Sequence, residues 1–135
     1  MYFCDTGLVC FLPGITNAQD LYTHPLRGAL FETLIISEVY KCYYNAGKLP
    51  QLYFWRDIQG HEIDCIVEKS YEQLLAIEIK SSMTIMSGAF KELIDWQTIT
   101  KQSPDTSFLV YAGTEEQHRT HGKVIPWNLV KNILF

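Results

Sequence analysis

Hydrophobic and polar positions recur with two different periods along this chain, and the switches between them mark its elements. Residues 2–12 are almost wholly apolar and end at Pro13-Gly14, and residues 17–24 read as a polar loop. Pro25 suits the first turn of a helix, which runs to about Asn45 and stops at Gly47. Three strands are predicted next. Residues 51–56 are rich in aromatics, Asp57-Ile58-Gln59-Gly60 makes a turn, and residues 61–69 alternate with period two, so this pair reads as an antiparallel hairpin. After a turn over 70–73, residues 74–80 open with Leu-Leu-Ala-Ile, the mark of a strand buried on both faces at a sheet centre. A helix over 87–100 and a strand over 107–111 make a crossover with it. A polar loop over 112–123, a short strand at Val124-Ile125 and a last short helix from Pro126 follow. The order α-β-β-β-α-β-β-α predicts the α/β class, with a mixed central sheet flanked by helices.

Composition narrows the class. The 135 residues fit one domain, and 47% hydrophobic against 19% charged residues excludes a disordered chain. A net charge of −4 has the wrong sign for holding nucleic acid by charge alone, so such a role requires a metal ion or a basic partner. Cys4, Cys10, Cys42 and Cys65 form no CxxC pair and read as reduced core thiols. No apolar run reaches the roughly 20 residues of a membrane span, and the start lacks the basic region of a signal peptide; a cytoplasmic protein without a membrane partner is expected. The abrupt apolar start reads as that of a fragment of something longer.

Several carboxylates occupy apolar positions. On a wheel with Leu26 at zero, Phe31, Ile35, Ile36, Val39, Cys42 and Tyr43 span roughly 140° to 280°, and Glu32 falls inside that arc at about 240°. Arg27, Thr33, Ser37, Glu38 and Lys41 gather on the other, solvated side. A buried carboxylate costs several kcal/mol unless partnered, so Glu32 either pairs with Arg56 or Lys80 or belongs to a site. By strand parity His61, Ile63, Cys65 and Val67 share one face and Glu62, Asp64, Ile66 and Glu68 the other, which a solvent-facing strand explains equally well. In the third strand Leu74, Ala76, Glu78 and Lys80 share a face. The polar end of that strand is either an exposed ion pair or part of a site. Asp64 and Glu78 lie 14 residues apart on consecutive strands, with Lys80 beside the second. With Glu32 from the helix and the carbonyl of Ile79 they form a set of hard oxygen ligands suited to Mg²⁺ or Mn²⁺. An ion there polarises a phosphodiester and acidifies an attacking water, which Lys80 positions or helps deprotonate.

The run Ile63-Asp64, then Glu78-Ile79-Lys80, preceded by Glu32, resembles the PD-(D/E)xK nuclease superfamily. Finer runs are Tyr2-Phe3-Cys4-Asp5-Thr6-Gly7-Leu8, Gly28-Ala29-Leu30-Phe31-Glu32, Tyr53-Phe54-Trp55-Arg56-Asp57, His61-Glu62-Ile63-Asp64 and Ala76-Ile77-Glu78-Ile79-Lys80-Ser81-Ser82. In this order they resemble the uncharacterised C-terminal domain carried by many prokaryotic AAA-type ATPases. The resemblance implies a restriction-endonuclease-like fold, with Glu32, Asp64 and Glu78 as metal ligands and Asp64, Glu78 and Lys80 as the catalytic set. It also implies an N-terminal ATPase and a winged-helix segment; neither is in these 135 residues, where Gly47-Lys48-Leu49 fits no P-loop.

Arg56 either meets a phosphate or, as its forked donor suits, pairs with a carboxylate such as Glu32. His61 reads as structural, His118 and His121 as solvated loop residues, and Trp55, Trp96 and Trp127 as scattered core anchors rather than a base-stacking platform. Two functions are carried forward. One is a Mg²⁺- or Mn²⁺-dependent DNA phosphodiesterase attached to an ATPase. The other is a catalytically silent interaction or oligomerisation domain of that ATPase, for which an exposed apolar edge predicts a homo-oligomer.

Overall fold

In a computed structural model of the chain, which describes Tyr2, residues 5–71 and residues 73–135, six strands form one mixed sheet between helices. The strands are β1 (Leu52–Arg56), β2 (Glu62–Ser70), β3 (Gln73–Lys80), β4 (Ser107–Tyr111), β5 (Gln117–Arg119) and β6 (Gly122–Pro126), in the order β1-β2-β3-β4-β6-β5. β1 and β2 are the expected antiparallel hairpin, and β3 pairs parallel with β4 through the crossover helix α4 (Lys91–Thr100). β3 is interior, and every residue from Leu75 to Ile79 is buried, as its apolar opening requires.

The long helix α3 (Arg27–Asn45) covers one face. Its Ile35 and Val39 pack with Cys65, Val67, Ile77 and Ile79. Gly47, at φ +67°, ends it in a double turn in which its own N–H donates to the Tyr44 carbonyl and that of Lys48 to Tyr43, a closure that favours glycine. Thr33 and Ser37, expected in solvent, are buried instead, and the Ser37 hydroxyl is satisfied by donating to the Leu34 carbonyl. On the opposite face α4 contributes Leu93 and Trp96, which meet Ile63, Ile66, Ala76 and Leu109.

Four segments carry more detail than the sequence pattern indicates, and the burial of Trp127 is overturned. The apolar segment at residues 2–12 contains helix α1 (Thr6–Phe11), started by the Asp5 carboxylate accepting from the Leu8 N–H. The polar stretch 17–24 contains helix α2 (Ala18–Thr23), which Asn17 caps in the same way. The loop over 112–123 contains β5, a three-residue edge strand. The last helix is a 3-10 helix over Trp127–Ile133, with Trp127 exposed rather than in the core. Cys65 alone is fully buried among the three free cysteines described; Cys10 and Cys42 are half-buried, and Cys4 lies outside the described residues.

Candidate functional site

β2 and β3 hold regular antiparallel register through Cys65 and Ile77 and then part, because β2 stays with β1 while β3 continues beside β4. At the point of parting, the carboxylate of Asp64 replaces the next rung: its Oδ2 accepts the Ile79 N–H at 2.8 Å. The N–H and C=O of a strand residue point to the same edge, so the Ile79 carbonyl also faces this gap.

A β-bulge sets the direction of Asp64. Tyr53 faces Ile66 and Trp55 faces Ile63, so Asp64 and Cys65 together oppose Phe54. The extra residue breaks the simple alternation: Ile63 packs with Ile66 on the α4 side, while Cys65 packs toward α3. The face assignment made from parity is therefore wrong at Ile63. Asp64 is directed to where it interacts with both Glu32 of α3 and Glu78 of β3.

The four principal residues fall into two halves. Toward α3, the Glu32 carboxylate is half-buried and accepts a hydrogen bond from the Tyr2 hydroxyl. Burial, then that hydrogen bond and the Glu32 charge, push the Tyr2 hydroxyl well above the ordinary phenol range. The expected pairing of Glu32 with Arg56 does not form: Arg56 is exposed and lies 3.9 Å from Glu62 instead, because β1 carries it away from α3. Toward α4, Glu78 is 3% exposed and its Oε1 accepts from Lys80 Nζ at 2.6 Å, so the i,i+2 pair joins a buried acid to a half-exposed ammonium. Its other oxygen, Oε2, is buried without a hydrogen-bond partner.

Burial, the Glu78 charge and then the Glu32 charge raise the Asp64 carboxyl from 3.8 to about 7, although the Ile79 N–H and Lys80 pull the other way. Burial likewise raises Glu78 against the pull of Lys80. Burial depresses Lys80, but the Glu78 hydrogen bond and the surrounding acids outweigh it and hold the ammonium charged. Lys80 is therefore suited to positioning a water or a phosphate rather than to removing a proton.

Among the described residues, no three His, Cys, Asp or Glu side chains enclose an ion by themselves. Glu32 and Glu78 approach the end of β3 from opposite sides, with Asp64 between them. That arrangement still fits Mg²⁺, which keeps several waters and is commonly held by one or two carboxylates plus a substrate phosphate. The unsatisfied Glu78 Oε2 is the oxygen such an ion would take. Glu92, in the first turn of α4, was not foreseen from the sequence; its Oε2 is also buried and unpartnered, and its charge acts on both Glu78 and Lys80. His61 serves structure, as expected: its Nδ1 lies 2.7 Å from Asp57 and its Nε2 3.6 Å from Asp95, tying the β1–β2 turn to α4. His118 and His121 are exposed.

Residues 27–130 match the family described as Domain of unknown function (DUF4143). The chain belongs to this family. The DUF4143 match starts at the first residue of α3 and takes in Glu32, Asp64, Glu78, Lys80 and Glu92, leaving out only Tyr2 of the groups described above. No curated protein and no solved structure matches the chain.

Proposed function

We propose that this DUF4143 domain is a nuclease-like module of the PD-(D/E)xK kind, hydrolysing DNA phosphodiesters with Mg²⁺ or Mn²⁺ and acting with an AAA-type ATPase in the cytoplasm. The observation that carries the reading is Glu78: a carboxylate 3% exposed, bonded on one oxygen to Lys80 and unsatisfied on the other, beside a second acid raised to about 7. A fold keeps such costly groups together where charge must be met by a ligand. A bound divalent ion supplies transition-state charge stabilisation and a more acidic water. Asp64, Glu78 and the Ile79 carbonyl would hold it, and Glu32, whose Oε1 accepts from the Tyr2 hydroxyl, would help position the water to be activated. Lys80, fixed by Glu78, places its remaining N–H donors toward the attacked phosphate.

The test is relaxation of supercoiled plasmid and cleavage of single-stranded circles. Wild type cuts with Mn²⁺, not with EDTA, and Lys80→Ala loses the cleavage while keeping its fold. A folded wild type that leaves both substrates intact overturns the enzymatic reading. The alternative, a silent interaction or oligomerisation domain, is favoured by one specific feature: α1 buries none of its residues and exposes Leu8, Phe11 and the adjoining Leu12, the last two by 73% and 68%.

A further inference from the structure

We infer that Glu92 is a cation-holding residue of this site, forming with Glu78 a carboxylate pair on the α4 side of β3 that takes a Mg²⁺ or Mn²⁺ ion. The inference rests on the metal-dependent reading above and adds a ligand to it. Native folds leave few buried polar atoms unpaired, and such atoms call for an unseen partner. Here two of them are carboxylate oxygens, Glu78 Oε2 and Glu92 Oε2, on two acids close enough for the Glu92 charge to act on Glu78. Available cations do not account for them. Lys80 bonds the other oxygen of Glu78, and Lys91 stands 3.4 Å from the other oxygen of Glu92 while lying closer, at 2.9 Å, to Asp95. Glu62 adds a third negative charge that reaches Glu78. Lys91 and Arg56 reach Glu92 and Glu62 only at 3.4 and 3.9 Å, and the two buried carboxylate oxygens still lack a donor, a place that a divalent ion fills. The helix start favours the Glu92 charge but provides no hydrogen bond to its buried oxygen. Asp64 and Glu32 form the other half of the site, so an ion at Glu78 is approached from α4 as well as from α3.

The experiment is Mn²⁺ titration followed by the electron paramagnetic resonance signal of the free ion, on wild type, Glu92→Gln, Glu78→Gln and Asp95→Asn. Asp95→Asn removes the same charge from the same helix and leaves both carboxylates of the proposed pair in place, while freeing Lys91, which stands between Asp95 and Glu92. Glu92→Gln is expected to weaken Mn²⁺ binding about tenfold or more, and Asp95→Asn less than about threefold. A thermal melt in EDTA separates this from a purely structural salt bridge to Lys80. Glu92→Gln melts at or above wild type if the pair repels without its ion, and below it if Glu92 only braces Lys80. If wild type binds Mn²⁺, Glu78→Gln does not, and Glu92→Gln matches Asp95→Asn, the inference about Glu92 is wrong and the metal-dependent reading stands. If folded wild type binds no Mn²⁺, both fall.

Discussion

Asp64→Asn should stabilise the metal-free protein at alkaline pH, although it removes a buried hydrogen-bonding acid. The Asp64 carboxyl stands at about 7 in the fold against an ordinary 3.8. Between those values the folded state holds a proton that the unfolded chain has released, so stability falls as pH rises from about 4 through 7. At 1.36 kcal/mol per unit, the charged form at pH 8 costs the fold up to about 4 kcal/mol. Asparagine keeps an oxygen to accept the Ile79 N–H, and the stronger bond of the charged acceptor is already contained in the raised carboxyl. The net expectation is a gain of up to about 4 kcal/mol at pH 8, or several degrees in melting temperature, and little change at pH 4. Urea unfolding of both proteins in EDTA from pH 4 to 9 measures it. A variant destabilised equally at both ends of that range would refute the electrostatic account of the site. Adding Mn²⁺ should reverse the order at pH 8, because the wild type alone gains the ligand's binding energy.

Lys80→Met should cost about 1–3 kcal/mol at pH 8, where buried Glu78 loses its donor. As pH falls and the Glu78 carboxyl, raised by burial, takes up its proton, the cost should shrink; a loss that stays constant into the acid range in urea melts would contradict the pairing. His61 is raised by its bond to Asp57. Its contribution is full below about 6.5 and lost as pH climbs through the raised value, so wild-type stability should fall between pH 6 and 9 by an increment that His61→Gln lacks. Gly122 has φ +142°, and a Cβ there would lie 2.5 Å from the Ser107 carbonyl oxygen. Gly122→Ala should therefore cost about 2 kcal/mol or more, read as a lowered urea midpoint.

What could be read in advance was whatever depended on local period. Parity placed Glu78 and Lys80 on one face and the wheel placed Glu32 against the sheet, because both periods persist over whole elements. Gly47 was legible as a stop because the left-handed turn it makes favours glycine. The direction of Asp64 was not legible: one extra residue opposite Phe54 shifts the alternation, and no residue type at 64 or 65 announces a bulge. Helix α2 and strand β5 are too short to show a period. The hydroxyl that holds Glu32 comes from Tyr2, 30 positions away. Glu92 went unnoticed because an acid in a first helical turn is ordinary; what distinguishes it, a buried oxygen facing a second acid's field, exists only after α4 packs on β3.

The most direct test of the central claim, that these acids exist to hold a divalent cation, is calorimetric titration of Mn²⁺ into EDTA-stripped protein at pH 8. The wild type and an Asp64→Asn, Glu78→Gln double variant are compared, with folding checked by circular dichroism. The account predicts saturable heat from the wild type and none from an equally folded double variant. Equal binding by both, or no heat from a folded wild type, would contradict it.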